Sequence, residues 1–282
     1  MILTRIHPDW GAVVEFNDPT DFFKYDANFW RSTMYQQKLI LFKNMNITKE
    51  QYVLFCKAFG NPWSAEDYLY SIEKVEKVEV NGTLSAISPM SNLISPRLGQ
   101  NMMPWHSDIP NRKINPFPLR ALWMVKNPNP NSGLTSFLNL EKGLDILPIE
   151  LSSKIENIKI IQQSWYHKGT DIQEFPFVKQ HPVTGKKSLR LNFFRNPADK
   201  ETNDAWIRDV KVNDVVLDPP NVLNPFYRFL ESQSELLYTH TWNTFDILIY
   251  DNWSFVHNRT PLIFNPKLER KFYRANIDHI IP

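Results

Sequence analysis

The sequence is poor in glycine and contains a single cysteine. Glycine accounts for 8 of 282 residues and proline for 21, where about 7% and about 5% are usual, so we expect loops stiffened by proline. Cys56 cannot form an internal disulfide, and it lies in the apolar, helix-like run 52–59, where a free thiol behaves as a small buried hydrophobe. The lack of disulfides favours a reducing, cytoplasmic compartment.

The sequence also lacks an excess of charge and any long apolar run. Lys and Arg total 32 against 30 Asp and Glu, the net charge is +2, and no basic stripe is present, which argues against nucleic acid as a partner. Nowhere do apolar residues run on for the length of a membrane span, and the first residues, MILTRIHPDW, contain no apolar stretch of signal-peptide length. Neither export nor membrane insertion is therefore expected.

The sequence is rich in the hydrophobic and aromatic residues that form a core. Hydrophobic residues make up 42% and aromatic residues 13% of the chain, enough for a substantial buried core at this length. No internal repeat, low-complexity tract or linker divides the chain. We therefore expect one soluble domain over residues 1–282, and the sequence leaves open whether it forms a homo-oligomer.

Strand-like runs outnumber helical ones. Apolar or alternating segments of strand length occur at residues 38–42, 75–80, 119–125, 135–140, 188–194, 245–250 and 270–277. Helical periodicity occurs at residues 49–59, 141–157 and 225–240. Thr48 is a suitable N-cap for the first helix and Gly60 a suitable end, and Asn81-Gly82 is the usual signal of a two-residue hairpin. Strands thus dominate the C-terminal half.

His106 and Asp108 are candidate metal ligands because they are two residues apart. On an extended strand both side chains leave the same face, so they could grip one ion. Taken alone, the pair is more often a surface histidine beside an acid, so a third ligand is needed. His257, in a polar segment after the run 245–250, is a credible third ligand, and two histidines with one carboxylate leave three positions of an octahedral ion open, as Fe(II) oxygenases require. A structural zinc site would instead be closed by four protein ligands.

Arg270 and Arg274 are candidates for binding a dicarboxylate. The guanidinium fork of arginine binds carboxylates with two hydrogen bonds. A spacing of four on a predicted strand places both side chains on one side, so both could face the metal. The alternative is an edge strand decorated with charge, which Glu269 and Lys271 also fit.

Several ordered motifs resemble those of the taurine dioxygenase-like (clavaminate synthase-like) Fe(II)/2-oxoglutarate oxygenases. In chain order the matching segments are LILFKNMNITKEQYVLFCKAFGNPW, WHSD, Gly133-Leu134-Thr135, FPFVKQHPVTGKKSLRLN, DNWSFVH and RKFYRA. They extend over nearly the whole chain. The resemblance implies a mainly β fold with flanking helices around a double-stranded β-helix, or jelly-roll, core with the metal at one open end.

The resemblance also assigns roles to single residues. The implied iron ligands are His106, Asp108 and His257. Arg270 corresponds to the residue that pairs with the distal carboxylate of 2-oxoglutarate, and Thr135 to its hydroxyl partner. Arg274 corresponds to a position near either the keto acid or an anionic substrate group. The implied cofactor set is Fe(II) with 2-oxoglutarate and O2 as co-substrates.

The implied function is oxidation of a small organic substrate, by hydroxylation or desaturation, with release of succinate and CO2. An amino-acid-derived compound or an intermediate of secondary metabolism is the expected substrate. The candidate substrate-contacting residues are Tyr68, Asn101, Met103, Phe193 and Phe194, although the apolar ones are equally compatible with a core position. Two alternatives stay open: a catalytically silent relative that acts as a binding module, and a His/Asp/His metal enzyme that does not use 2-oxoglutarate.

Overall fold

Strands form most of the regular structure in the computed structural model, which describes residues 1–68, 74–92, 102–108, 119–167, 169–192, 206–263, 265 and 267–280. The strands up to residue 139 are β1 (Ile2–Arg5), β2 (Ala12–Glu15), β3 (Leu39–Phe42), β4 (Asn61–Pro62), β5 (Glu76–Val80), β6 (Thr83–Ser91), β7 (Met103–His106), β8 (Leu119–Lys126) and β9 (Thr135–Asn139). Those after it are β10 (Ile158–His167), β11 (Gly169–Pro176), β12 (Val178–Gln180), β13 (Lys187–Leu189), β14 (Trp206–Val212), β15 (Val215–Leu217), β16 (Leu237–His240), β17 (Ile247–Asp251), β18 (Phe255–Arg259) and β19 (Lys271–Asp278).

Helices are short and lie mostly outside the sheets. The α-helices are α1 (Ala27–Gln37), α2 (Lys49–Phe59), α3 (Leu140–Asp145), α4 (Ile149–Ser152) and α5 (Pro219–Glu231). Single 3-10 segments cover Pro19–Lys24, Ile155–Asn157 and Ser234–Leu236. No helix in the described part of the chain is long and apolar enough to cross a membrane.

A large sheet and a smaller one carry the candidate site. Nine of the described strands form the large sheet in the order β1-β2-β3-β17-β8-β19-β6-β5, with β4 beside β19. Four more form the smaller sheet in the order β16-β9-β18-β7. Every residue of β3 and β17 is buried, because these central strands are covered on both faces, which explains why their sequences are continuous apolar runs rather than alternating ones.

Alternate residues of the central strands supply two separate cores. Leu41 and Leu248 pack against Phe137 and Phe255 of the smaller sheet, so this apolar layer joins the two sheets. The opposite face, which includes Ile249, packs with helices α1 and α2 in a second cluster rich in aromatic residues. The result is a two-sheet sandwich with helices on the outer face of the large sheet.

Helix α2 has the boundaries that the sequence predicts. Thr48 and Gln51 form a reciprocal capping box at its N-terminus, which satisfies two backbone donors that a helix start leaves unpaired. Gly60 ends the helix, and a Cβ there would collide with the backbone carbonyl of Asp278. Strand β4 can therefore lie close to β19 only because residue 60 lacks a side chain.

Most predicted elements are confirmed, and two helices need correction. The predicted helix 225–240 is wrong in its second half, because α5 runs over Pro219–Glu231 and Leu237–His240 is a strand paired with β9. The predicted helix 141–157 consists of α3, α4 and a 3-10 turn, interrupted between Asp145 and Pro148. In both segments a proline or a cross-strand partner overrides the apolar period.

Candidate functional site

Two paired strands of the smaller sheet bring the candidate histidines together. His106 is the last residue of β7 and lies directly opposite His257 of β18 in the antiparallel register. The centroids of the two imidazole rings are 4.1 Å apart, and both side chains are buried. Residues 151 positions apart in the sequence thus become neighbours through a single strand pair.

Asp108 completes the group from a short extension beyond β7. Its backbone N–H donates to Oδ1 of Asn252 at 3.0 Å, and Nδ2 of Asn252 donates to the Asp108 carbonyl at 2.7 Å. With the backbone held in this way, Oδ2 of Asp108 lies 3.6 Å from Nε2 of His257. One ligand atom from each of the three residues lies within 4.8 Å of the others, a spacing that a single metal ion can bridge.

The donor set fits an Fe(II) ion. Nδ1 of His106 lies 2.8 Å from the carbonyl oxygen of Pro104, and because a carbonyl only accepts, Nδ1 carries a proton and Nε2 is the ring nitrogen that could bind a metal. Burial and the neighbouring His106 hold the pKa of His257 well below its usual range. His257 is therefore available in the neutral form that binds metals, and two histidines with one carboxylate are typical of non-haem Fe(II) oxygenases.

Three donors surround the Asp108 carboxylate. Nε of Arg120 and the Tyr250 hydroxyl donate to Oδ2 at 2.9 Å and 3.0 Å, and Nη1 of Arg274 lies 4.0 Å from Oδ1. Burial opposes ionisation, but Arg120, with His257 and Arg274, holds the pKa of Asp108 well below its usual range. The carboxylate is consequently ionised before any metal binds.

Arg120, Tyr250 and Asn252 were not predicted from the sequence. Arg120 on β8 faces Tyr250 of β17 on one side and Asn276 of β19 on the other, and it also donates to Oδ1 of Asn276. The signal for Arg120 was a charge inside the apolar run 119–125, which a buried strand tolerates only when the charge is paired. Tyr250 and Asn252 reach the site through strand register, which the sequence does not display.

Arg270 lies immediately before β19 in a buried position. Nη2 donates to the carbonyl of Gly133 at 3.0 Å, and the Arg270 backbone N–H donates to Oδ1 of Asn92 at 2.8 Å. A Cβ on Gly133 would lie 2.5 Å from Nη1 of Arg270, so glycine is required for the guanidinium to lie there. Burial, with a smaller contribution from Arg259, lowers the pKa of Arg270 to about 10, which leaves it charged at neutral pH.

Thr135 begins β9, two residues beyond the Gly133 carbonyl that holds Arg270. Its hydroxyl accepts a hydrogen bond from Nε1 of Trp242 at 2.9 Å, and the side chain is buried. Across the sheet Thr135 pairs with Arg259 of β18. Arg270 and Thr135 thus lie on neighbouring segments, and Thr135 pairs with β18, the strand that carries His257.

The predicted substrate residues are only partly described. Tyr68 is buried, and its hydroxyl accepts from the backbone N–H of Asn276 at 3.2 Å. The side chain of the same Asn276 accepts from Arg120. Met103 is half-buried at the start of β7. The remaining predicted substrate residues, Asn101, Phe193 and Phe194, lie outside the described residues.

A second His/Asp/His group lies in the structure. His181, Asp251 and His279 also place one ligand atom each within 4.8 Å of the others. Nε2 of His181 lies 3.0 Å and Nζ of Lys38 lies 3.5 Å from the same oxygen of Asp251. Nδ1 of His181 accepts the backbone N–H groups of residues 183 and 184. These contacts account for the group as a buried polar network that fixes the turn before His257.

Comparison with known proteins shows the family to which the chain belongs. The profile of the family described as "Taurine catabolism dioxygenase TauD, TfdA family" matches residues 3–276. The (S)-phenoxypropionate/alpha-ketoglutarate-dioxygenase of Sphingobium herbicidovorans is 21% identical over 249 residues, 79% of this chain and 76% of that protein. The 3-((Z)-2-isocyanoethenyl)-1H-indole synthase of Fischerella ambigua is 29% identical over 114 residues, 39% of this chain and 38% of that protein.

A solved structure supports the fold assignment. The crystal structure of a taurine dioxygenase from Burkholderia xenovorans superimposes with a TM-score of 0.66 at 20% identity, covering 100% of this chain and 92% of that chain. The expected mainly β jelly roll with flanking helices is therefore confirmed.

Proposed function

Because the chain belongs to the taurine catabolism dioxygenase TauD, TfdA family, we propose that His106, Asp108 and His257 hold the iron of its reaction centre. Membership makes the protein an Fe(II)- and 2-oxoglutarate-dependent dioxygenase that uses O2. The observation that carries the ligand assignment is the convergence, within 4.8 Å, of one donor atom each from two buried histidines and the half-buried Asp108. The second such group is a weaker candidate because both ring nitrogens of His181 already contact protein atoms: Nδ1 accepts two backbone N–H groups and Nε2 lies 3.0 Å from Asp251.

Bound iron would activate O2, the oxidant, and 2-oxoglutarate would be oxidised to succinate and CO2 as the substrate is oxidised. The residues of the chain bind and orient. The Pro104 carbonyl accepts from Nδ1 of His106 and orients the ring, so that Nε2 would be the nitrogen that binds the metal. The Asn252 side chain fixes the Asp108 backbone through two hydrogen bonds. Placement of the substrate then decides which C–H bond reacts.

We propose that Arg270 binds the distal carboxylate of 2-oxoglutarate with Thr135 as hydroxyl partner. Arg270 is buried, charged and held by the Gly133 carbonyl, so its remaining donors can pair with a carboxylate bidentately. The Thr135 hydroxyl receives the Trp242 N–H, which leaves its own proton to donate. Arg274, near Asp108, is placed to contact an anionic group on either the keto acid or the substrate.

For the substrate we propose a small organic compound, amino-acid-derived or an intermediate of secondary metabolism, that is hydroxylated or desaturated. The names of the two relatives support this class, since one acts on a phenoxypropionate and the other makes an isocyanide-bearing indole. Tyr68, Asn101, Met103, Phe193 and Phe194 are the residues we propose for substrate contact.

The test is an anaerobic titration of the metal-free protein with Fe(II) and 2-oxoglutarate, monitored by the visible metal-to-ligand charge-transfer band. The wild type should develop the band, and His257→Ala should abolish it. Arg270→Ala should require at least about tenfold more 2-oxoglutarate, because a charge-assisted bidentate contact is lost. Arg208→Ala removes an exposed arginine on β14 and should titrate like the wild type.

Each alternative has its own result. Iron binding without a band, and without any effect of 2-oxoglutarate on metal affinity, would favour a metal enzyme that does not use the keto acid. No iron binding would favour a silent binding module. With a band established, succinate release in the presence of phenoxy acids, aromatic amino acids and indole isocyanides would identify the substrate class, and product mass would separate hydroxylation from desaturation.

A further inference from the structure

One oxygen of the Asp108 carboxylate is already fully used by the protein. Oδ2 accepts hydrogen bonds from Nε of Arg120 at 2.9 Å and from the Tyr250 hydroxyl at 3.0 Å. A carboxylate oxygen offers about two lone-pair sites, so both sites of Oδ2 are occupied. Within the described part of the chain Oδ1 accepts no hydrogen bond, and Nη1 of Arg274 lies 4.0 Å from it.

Arg120 and Tyr250, the two donors to Oδ2, are both fixed in position by their surroundings. Arg120 is 1% exposed and is held at its other end by Asn276, the residue opposite it on β19. Tyr250 is fully buried, with its ring centroid 4.9 Å from that of Phe137 and 5.2 Å from that of His257. A buried guanidinium left without a partner would be strongly unfavourable, so the carboxylate and Arg120 hold one another in place.

We propose that Arg120 and Tyr250 are positioning residues that occupy Oδ2 of Asp108, so that the carboxylate gives the metal Oδ1 alone. The inference rests on the proposed metal site. Ligation through one oxygen leaves three positions of an octahedral ion open, which a bidentate keto acid and O2 together require. If both oxygens bound, only two positions would be left, and the keto acid would have to displace one of the oxygens.

The first test is a crystal structure of the wild-type protein loaded with Mn(II). A metal bond to Oδ1 with both donors still on Oδ2 is the expected result. A bond to Oδ2, or to both oxygens, would overturn the inference while leaving the metal site intact. Failure of the wild type to bind Mn(II) would instead overturn the metal site, and the role of the two donors with it.

The second test measures Mn(II) affinity and then 2-oxoglutarate affinity of the Mn(II)-loaded protein by calorimetry. Tyr250→Phe frees one lone pair of Oδ2 and keeps the ring, so Mn(II) should bind as tightly as in the wild type while 2-oxoglutarate binds about tenfold more weakly. Arg120→Met should show the same split more strongly if it folds. A purely structural role would weaken both affinities in parallel, and unchanged affinities would equally contradict the proposal.

A matched control separates the position from the chemistry of the change. Tyr227→Phe also deletes a buried tyrosine hydroxyl. Tyr227 lies on α5 in a different hydrophobic cluster, and its hydroxyl donates to the Asn192 carbonyl at 2.8 Å. Both affinities of this variant should equal those of the wild type. Because Tyr250→Phe removes only one oxygen atom, it tests the proposal even if Arg120→Met does not fold.

Discussion

At the scale of single residues, Asp108 has a structural role as well as a chemical one. It is the carboxylate that neutralises Arg120, a side chain 1% exposed in the middle of a strand. Removing one member of a buried ion pair leaves the other charge uncompensated, which costs several kcal/mol. The residue that we propose as a metal ligand is therefore also part of the balance of charge in the core.

This dual role predicts a loss of stability that does not depend on metal. Asp108→Ala should lower the free energy of unfolding of the metal-free protein by about 3 kcal/mol, because the buried Arg120 loses the carboxylate that balances its charge. Urea unfolding in the presence of a chelator measures it. Asp145→Asn, on an exposed residue of α3, is the control and should match the wild type. Equal midpoints for Asp108→Ala and the wild type would show that the pair contributes nothing.

Cys56 predicts an inert thiol. It is fully buried in α2, and burial raises the pKa of its thiol far above the usual range, so almost no thiolate, the reactive form, is present. Ellman's reagent should therefore leave the native protein unmodified and should titrate one thiol per chain in denaturant. Rapid reaction of the native protein would mean that α2 opens readily.

The candidate ligands could be predicted because they carry their own signal. His106 and Asp108 are two residues apart in the sequence, and His257 follows the polar turn at Asp251-Asn252, although the structure places it within strand β18. Arg120 and Tyr250 could not be predicted, because their role depends on which strands lie side by side, and β8 and β17 pair across more than a hundred residues of sequence. The ligand roles themselves stay predictions until a metal titration tests them.

At the scale of elements, the turn between β17 and β18 is stabilised by His181 and Lys38, which contact the carboxylate of Asp251. Burial alone raises the pKa of Asp251, but His181 and Lys38 outweigh it and hold that pKa well below its ordinary value of 3.8. Asp251 also accepts from the backbone N–H of Trp253 and the hydroxyl of Ser254. This turn contains Asn252, which clamps Asp108, so its shape determines where the carboxylate lies.

The lowered pKa predicts how stability depends on pH. A carboxyl whose pKa is lower in the folded than in the unfolded state stabilises the fold above its ordinary pKa of 3.8, and that contribution is lost as the pH falls through the folded value. Asp251→Asn should therefore cost about 3 kcal/mol at neutral pH and less in acid. Urea midpoints across the acid range measure this. A constant difference between variant and wild type at every pH would contradict it.

The elements that were predicted well are those whose ends are set by residues close together in the sequence. Thr48 and Gln51 announce α2, and Asn81-Gly82 announces the β5–β6 hairpin, because these signals are local. The segment at Leu237–His240 has a helical apolar period, yet it forms β16 because β9 offers it a partner. Pairing partners lie far away in the sequence, and a single sequence does not reveal them.

At the scale of the whole molecule, the metal should stabilise the fold. A ligand that binds only the folded state adds about 2.7 kcal/mol when present at 100 times its dissociation constant. Mn(II) should therefore raise the melting temperature of the wild type by several degrees, and a chelator should reverse the rise. Asp108→Ala should show no rise at the same Mn(II) concentration. An equal rise in that variant would place the ion elsewhere, for instance at His181 and Asp251.

The parallel pairing of β2 with β3 has a consequence for how the chain can be shortened. Strand β3 is completely buried, with sequence LILF, and β2 covers one of its two edges. A chain beginning after Glu15 would present a flat, apolar edge with unpaired backbone donors and acceptors, which is a template for strand addition between molecules. Such a truncation should aggregate on expression, even though it removes no residue of the candidate site.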